Sequence, residues 1–90
     1  GIPLPPPPRM RIRSLFFASY RELAGTDQVV VELPPGSCVA DLVIALRASG
    51  APFSALPENP AVAINMEYAA PSASLGEGDE VAFIPPVAGG

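Results

Sequence analysis

The chain has 90 residues, 49% of them apolar, which is enough for one compact core and too few for a second domain. Its net charge of −4, from five arginines against nine acids, argues against a nucleic-acid partner, which would call for a basic patch. Histidine and lysine are both absent, which removes the commonest general base and metal ligand and rules out Schiff-base chemistry. The one cysteine, Cys38, cannot close an intramolecular disulfide or build a cysteine-based zinc site. No run approaches the roughly 18 uncharged apolar residues of a membrane span, and the N-terminus lacks the pattern of a signal peptide. The expectation is a cytoplasmic protein that engages neither membrane nor nucleic acid, with no metal and no permanently bound cofactor. Its chemistry is expected to use something other than a self-sufficient set of side chains.

Residues 1–9 stand apart from the rest. Pro3 and the run Pro5-Pro6-Pro7-Pro8 remove amide donors and favour polyproline II, so this leader cannot enter a sheet interior or a helix. It reads as a flexible or non-native extension, with a docking ligand for a proline-binding groove as the alternative. A single domain is expected over 10–90.

Residues 11–17 alternate as a strand, with Ile12, Ser14 and Phe16 on one side and Arg13, Leu15 and Phe17 on the other. Residues 18–24 read as a short helix stopped by Gly25. The valine-rich residues 28–33 form a second strand that ends at Pro34-Pro35-Gly36. The main helix is expected over 38–49, with Ser37 as N-cap, Asp41 in the first turn and Gly50 just past the end. Val39, Leu42, Val43 and Leu46 recur at helical spacing and should face the sheet. A proline-punctuated connection over 52–60 follows. Strands are expected over 61–65 and 80–84, with a short one at Tyr68-Ala69 between them. Two strands, a helix and then two or three strands is the order of an α+β fold of β-grasp type, a mixed sheet curled around one helix. That helix covers one face only. On this register Leu15, Phe17 and Ile84 lie on the other face, where an apolar cluster points to a partner. A register slip of one residue would instead make them core.

Beyond Ile84 stand Pro85-Pro86-Val87-Ala88-Gly89-Gly90. The prolines cannot donate to a ladder, so they lead the chain out of the sheet. Val87 offers a small anchor. Ala88, Gly89 and Gly90 narrow to bare backbone, which can thread a channel too tight for a Cβ. The Gly90 carboxylate would then be the reacting group, activated by adenylation. Alternatively, an end of this composition is simply small and flexible.

Leu15-Phe16-Phe17-Ala18, Arg21-Glu22-Leu23-Ala24-Gly25, Ala63-Ile64-Asn65 and above all residues 78–90 resemble the small subunits of molybdopterin synthase (MoaD), ubiquitin-like sulfur carriers ending in Gly-Gly. The resemblance spans residues 10–90 and is loose over 52–60. It implies that an E1-like adenylating enzyme, using ATP, activates Gly90 and that a sulfur donor converts it to a thiocarboxylate. The loaded tail would then enter the large synthase subunit, within a heterotetramer, and pass sulfur to cyclic pyranopterin monophosphate. The chain would be a sulfur-donating subunit, non-catalytic alone. Pro85, Pro86, Val87 and Ala88 would carry the tail, while Leu15, Phe17 and Ile84 would contact partners. Arg21 could pair with a partner's acids or be an ordinary solvated arginine, and Cys38 could pack or carry a persulfide. The alternatives are a carrier for thiamine thiazole, cysteine or tRNA thiolation, a modifier joined to lysines of other proteins, and an interaction module with an inert tail.

Overall fold

In the computed structural model, residues 1–5 and 8–87 are described. Strand β1 (Met10–Phe16) leads into helix α1 (Ala18–Ala24), and β2 (Gln28–Leu33) leads into helix α2 (Val39–Ala48). A 3-10 turn, Phe53–Ala55, precedes β3 (Ala61–Ile64), β4 (Glu67–Ala69) and β5 (Glu80–Ile84). The five strands form one mixed sheet in the order β2-β1-β5-β3-β4, with β1 and β5 parallel at its centre. This is the expected β-grasp. No helix among the described residues is long and apolar enough to cross a membrane.

Period-two alternation in β1 puts Ile12, Ser14 and Phe16 inside, and the partners in register follow, Val81 beside Ser14 and Phe83 beside Phe16. Leu42, Val43 and Leu46 of α2 close over this face. Phe16 and Phe83 pack with centroids 5.3 Å apart, and Phe53 stacks against Phe16 at 5.8 Å. Each such ring buried contributes roughly 1.5–3 kcal/mol. Residues 52–60 are therefore not merely a connection, because Leu56 is fully buried and Phe53 packs on the core.

The main helix starts one residue later than expected, and its N-cap is Cys38 rather than Ser37. Ser37 is buried, and its hydroxyl donates to the Pro34 carbonyl at 2.7 Å. That bond takes the hydroxyl away from the helix and gives it to the preceding turn. Asp41 completes the cap, accepting from the Cys38 amide at 2.9 Å, and this bond holds its carboxyl below the ordinary range. Gly50, at φ +90°, ends the helix as read from sequence.

The hairpin between β3 and β4 turns through Asn65 (φ +47°) and Met66 (φ +74°), two consecutive left-handed residues that match the twist of the strands. Asn65 is among the residues that tolerate the left-handed region, and both ends of its amide are engaged. Nδ2 donates to Asp79 Oδ1 at 3.0 Å, and Oδ1 accepts from the Glu80 amide at 3.0 Å. Asp79 in turn accepts from the Gly76 amide at 2.7 Å. The hairpin is thereby tied to the start of β5, the strand that carries the tail.

Candidate functional site

Strand β5 is paired on both sides, with β1 and with β3, so its end is a fixed point. Pairing stops at Ile84, which lies opposite Ala61, because Pro85 and Pro86 have no amide to donate. Pro85 is half-buried, while Pro86 and Val87 are exposed, Val87 by 92%. The tail is thus launched from the middle of the sheet rather than from an edge. Ala88, Gly89 and Gly90 lie outside the described residues.

The same register sets the uncovered face. Leu15 stands beside Ala82, Ala82 beside Ala63, and Ala63 beside Tyr68. The next row places Ile84 beside Ala61, with Phe17 following Phe16 at the end of β1. Leu15 and Ile84 are half-buried and Phe17 is 49% exposed. At Ala18 the chain bends from strand into helix at a φ of +47°. Arg21, exposed on α1, shares a shallow depression of about 260 Å³ with Leu15 and Phe17. Leu15, Phe17, Ile84 and Arg21 therefore fall at one end of the sheet, the end from which the tail leaves.

Tyr68 was missed in the sequence. It is 80% exposed on the edge strand β4 and completes the apolar row. With Tyr20, Pro57, Pro60 and Ile84 it lines a groove of about 550 Å³ that runs along the base of the tail to residues 85–87. The available signal was the alternation within Glu67-Tyr68-Ala69, which is too short to set a register without its partner strand. Cys38 sits at the start of α2, half-buried, next to Ser74, and is not among the residues lining the tail groove or the Leu15–Phe17 depression.

The opposite end of the same face is charged. Arg11 donates to Glu77 through its amide at 2.7 Å and through Nε at 3.2 Å, and Arg13 meets Glu80 at 2.9 Å. The Arg11 bonds hold the Glu77 carboxyl below its ordinary range. Among the described residues no group of acids or cysteines is arranged to hold a metal. The side chains offer an apolar platform beside an exposed tail.

The profile of the ThiS family matches residues 14–90. The chain belongs to that family. A molybdopterin synthase sulfur carrier subunit of Chlamydomonas reinhardtii is 37% identical over 83 residues, covering 90% of this chain and all of that protein. A protein of the same name from Mycobacterium tuberculosis is 37% identical over 82 residues, covering 90% and 99%. The sulfur-carrier resemblance drawn from Leu15-Phe16-Phe17-Ala18 and residues 78–90 is thereby borne out. Among solved structures, small archaeal modifier protein 1 of Haloferax volcanii superposes with a TM-score of 0.76 at 28% identity, covering 87% of this chain and 99% of its own. A ubiquitin of Caldiarchaeum subterraneum gives 0.63 at 16% identity, covering 92% and 100%, which shows the shared ubiquitin-like fold.

Proposed function

We propose that this chain is the sulfur carrier subunit of a molybdopterin synthase, working in the cytoplasm with Gly90 as the terminal residue and its carboxylate as the reacting group. The observation that carries the reading is the join between two features, an apolar sheet corner (Leu15, Phe17, Tyr68, Ile84) and a proline-led tail leaving the same corner. The relatives that bear this name support it. A partner that seats on the corner receives the tail in one orientation, because β5 is clamped on both sides.

In this reading an E1-like enzyme supplies ATP. The Gly90 carboxylate attacks the α-phosphorus and pyrophosphate leaves. A sulfur donor then attacks the acyl carbon and AMP leaves, producing the thiocarboxylate. The large synthase subunit takes the loaded tail, and the sulfur passes to cyclic pyranopterin monophosphate. The role of this chain is to present and orient. Val87 and the prolines keep the tail extended, and the glycines let it enter a narrow channel. The exposed corner residues contribute binding area.

The test is intact mass after incubation with ATP, a sulfur source and the activating enzyme. A shift equal to the exchange of one oxygen for one sulfur, absent when Gly90 is deleted or Gly89→Ala is introduced, supports the reading. No shift with an enzyme active on another carrier refutes it. Conversion of cyclic pyranopterin monophosphate by the loaded chain plus a large subunit separates this pathway from thiamine, cysteine or tRNA thiolation. The likeness to the Haloferax modifier favours one second reading, attachment to lysines of other proteins, which would appear as covalent adducts in the same incubation.

A further inference from the structure

We infer that strand β2, at the edge of the sheet, is a self-pairing surface held shut by two side chains, Thr26 and Arg9. β2 stands at one end of the strand order and is paired with β1. Its residues, Gln28-Val29-Val30-Val31-Glu32-Leu33, are a proline-free, β-branched run of the kind that adds readily to another strand. Val30 is 55% exposed on it.

The ladder fixes which backbone groups face outward. The Phe16 amide donates to the Asp27 carbonyl at 2.9 Å, so these two residues form a hydrogen-bonded pair. Antiparallel pairs alternate between bonded and non-bonded. The register sets Leu15 beside Gln28, Arg13 beside Val30 and Arg11 beside Glu32, and these are the non-bonded pairs. The amides and carbonyls of Gln28, Val30 and Glu32 therefore point away from β1, along the open edge. Thr26 covers the first of them. Its hydroxyl donates to the Gln28 carbonyl at 3.1 Å and accepts from the Gln28 amide at 3.5 Å. Arg9 covers the last, donating through Nη2 to the Glu32 carbonyl at 3.2 Å. Both ends of the edge are thus occupied from within the chain, with Val30 between them.

A second copy of this chain is the occupant that the edge fits. Two β2 strands set antiparallel about Val30 place Val30 opposite Val30 and Gln28 opposite Glu32, so no like charges face each other. Such a pairing offers two bonds between the Val30 residues and four between Gln28 and Glu32. Each of those four uses the Gln28 amide, the Gln28 carbonyl or the Glu32 carbonyl, the groups that Thr26 and Arg9 already hold. The two central bonds left uncontested are too few to offset the cost of association. Closure of the edge also serves the corner. Gln28 lines the depression shared by Leu15, Phe17 and Arg21, so a copy seated on β2 would crowd the face assigned to partners. In that respect alone the inference rests on the sulfur-carrier reading.

The test is self-association of the full chain by sedimentation velocity over a range of concentrations. It needs neither enzyme nor partner, so its failure is distinct from failure of the carrier reading. Circular dichroism checks that each variant is folded. Thr26→Val removes the hydroxyl and Arg9→Ala the guanidinium. Together they are expected to tighten dimerisation at least about tenfold over the unaltered chain, and either alone should give a smaller gain. Val30→Pro added to the pair should abolish the gain. It removes the central donor, yet costs the sheet no ladder bond because that amide faces outward. Thr26→Ser, which keeps the hydroxyl, should stay at the unaltered level. A double variant no more associated than the unaltered chain would overturn the inference. So would a gain that survives Val30→Pro, or dimerisation of the unaltered chain that Val30→Pro abolishes.

Discussion

Ser14 lies on the inward face of β1, level with Val29 of β2 and Val81 of β5. It is fully buried, and its Oγ has no hydrogen-bond partner among the described residues. A buried hydroxyl left unpaired costs about 1–3 kcal/mol of desolvation. Ser14→Ala removes that cost and leaves a void of on the order of 15 Å³, which at ~24 cal/mol per Å³ takes back about 0.4 kcal/mol. The net expectation is a gain of about 1 kcal/mol. For a domain of this size that raises the thermal midpoint by about 4–8 °C. In urea it raises the unfolding midpoint by roughly 0.5–1 M with the slope unchanged. Equilibrium urea unfolding followed by far-UV circular dichroism measures both quantities. An unchanged or lowered midpoint at constant slope would refute the reasoning, because it would mean that the hydroxyl is satisfied in the folded protein.

Phe17→Asp and Tyr68→Asp alter exposed residues of the apolar corner, so each should leave the unfolding midpoint nearly unchanged. Each should weaken association with the large synthase subunit by about fivefold to 150-fold, as loss of about 1–3 kcal/mol of apolar contact implies; titration calorimetry would show it, and full affinity with the fold intact would dismiss the corner. Asn65→Ala removes both side-chain bonds to residues 79 and 80 and leaves a left-handed φ without its favoured residue, so a loss of about 2 kcal/mol in urea unfolding is expected. Met66→Gly, at φ +74° and 92% exposed, should go the other way by about 0.5–1 kcal/mol. Asp41 and Glu77 both have carboxyls lowered by backbone hydrogen bonds, from Cys38 and Arg11 respectively. Their contribution is complete above the ordinary values of 3.8 and 4.5 and is lost as pH falls through the lowered folded values. Asp41→Asn together with Glu77→Gln should therefore lower stability near neutrality and flatten its acid dependence, and urea midpoints measured across the acid range would check this.

The sequence alone settled the features that depend on local chemistry. Strict alternation placed Ile12, Ser14 and Phe16 inside β1, glycines marked the helix ends at Gly25 and Gly50, and two prolines ended the last strand at Ile84. The element order and the Gly-Gly end then sufficed to recognise the carrier pattern. These signals are readable because propensity, periodicity and the missing proline donor act within a few residues of chain.

The tertiary structure decided what depends on pairings between distant segments. Whether Leu15, Phe17 and Ile84 share a face rests on the parallel register of β1 with β5, a contact between segments some 67 residues apart. Tyr68 joins them only because β4 is paired through β3 to β5, a chain of three registers that a three-residue strand cannot announce. Ser37 lost the cap to Cys38 because the preceding turn took its hydroxyl, and Phe53 and Leu56 entered the core from a segment without periodicity. For Tyr68, Phe53 and Leu56 contacts between distant segments decided the outcome, and for Ser37 a bond to the carbonyl three residues back outweighed a capping preference worth about 1 kcal/mol; in neither case does the residue pattern record which competitor wins.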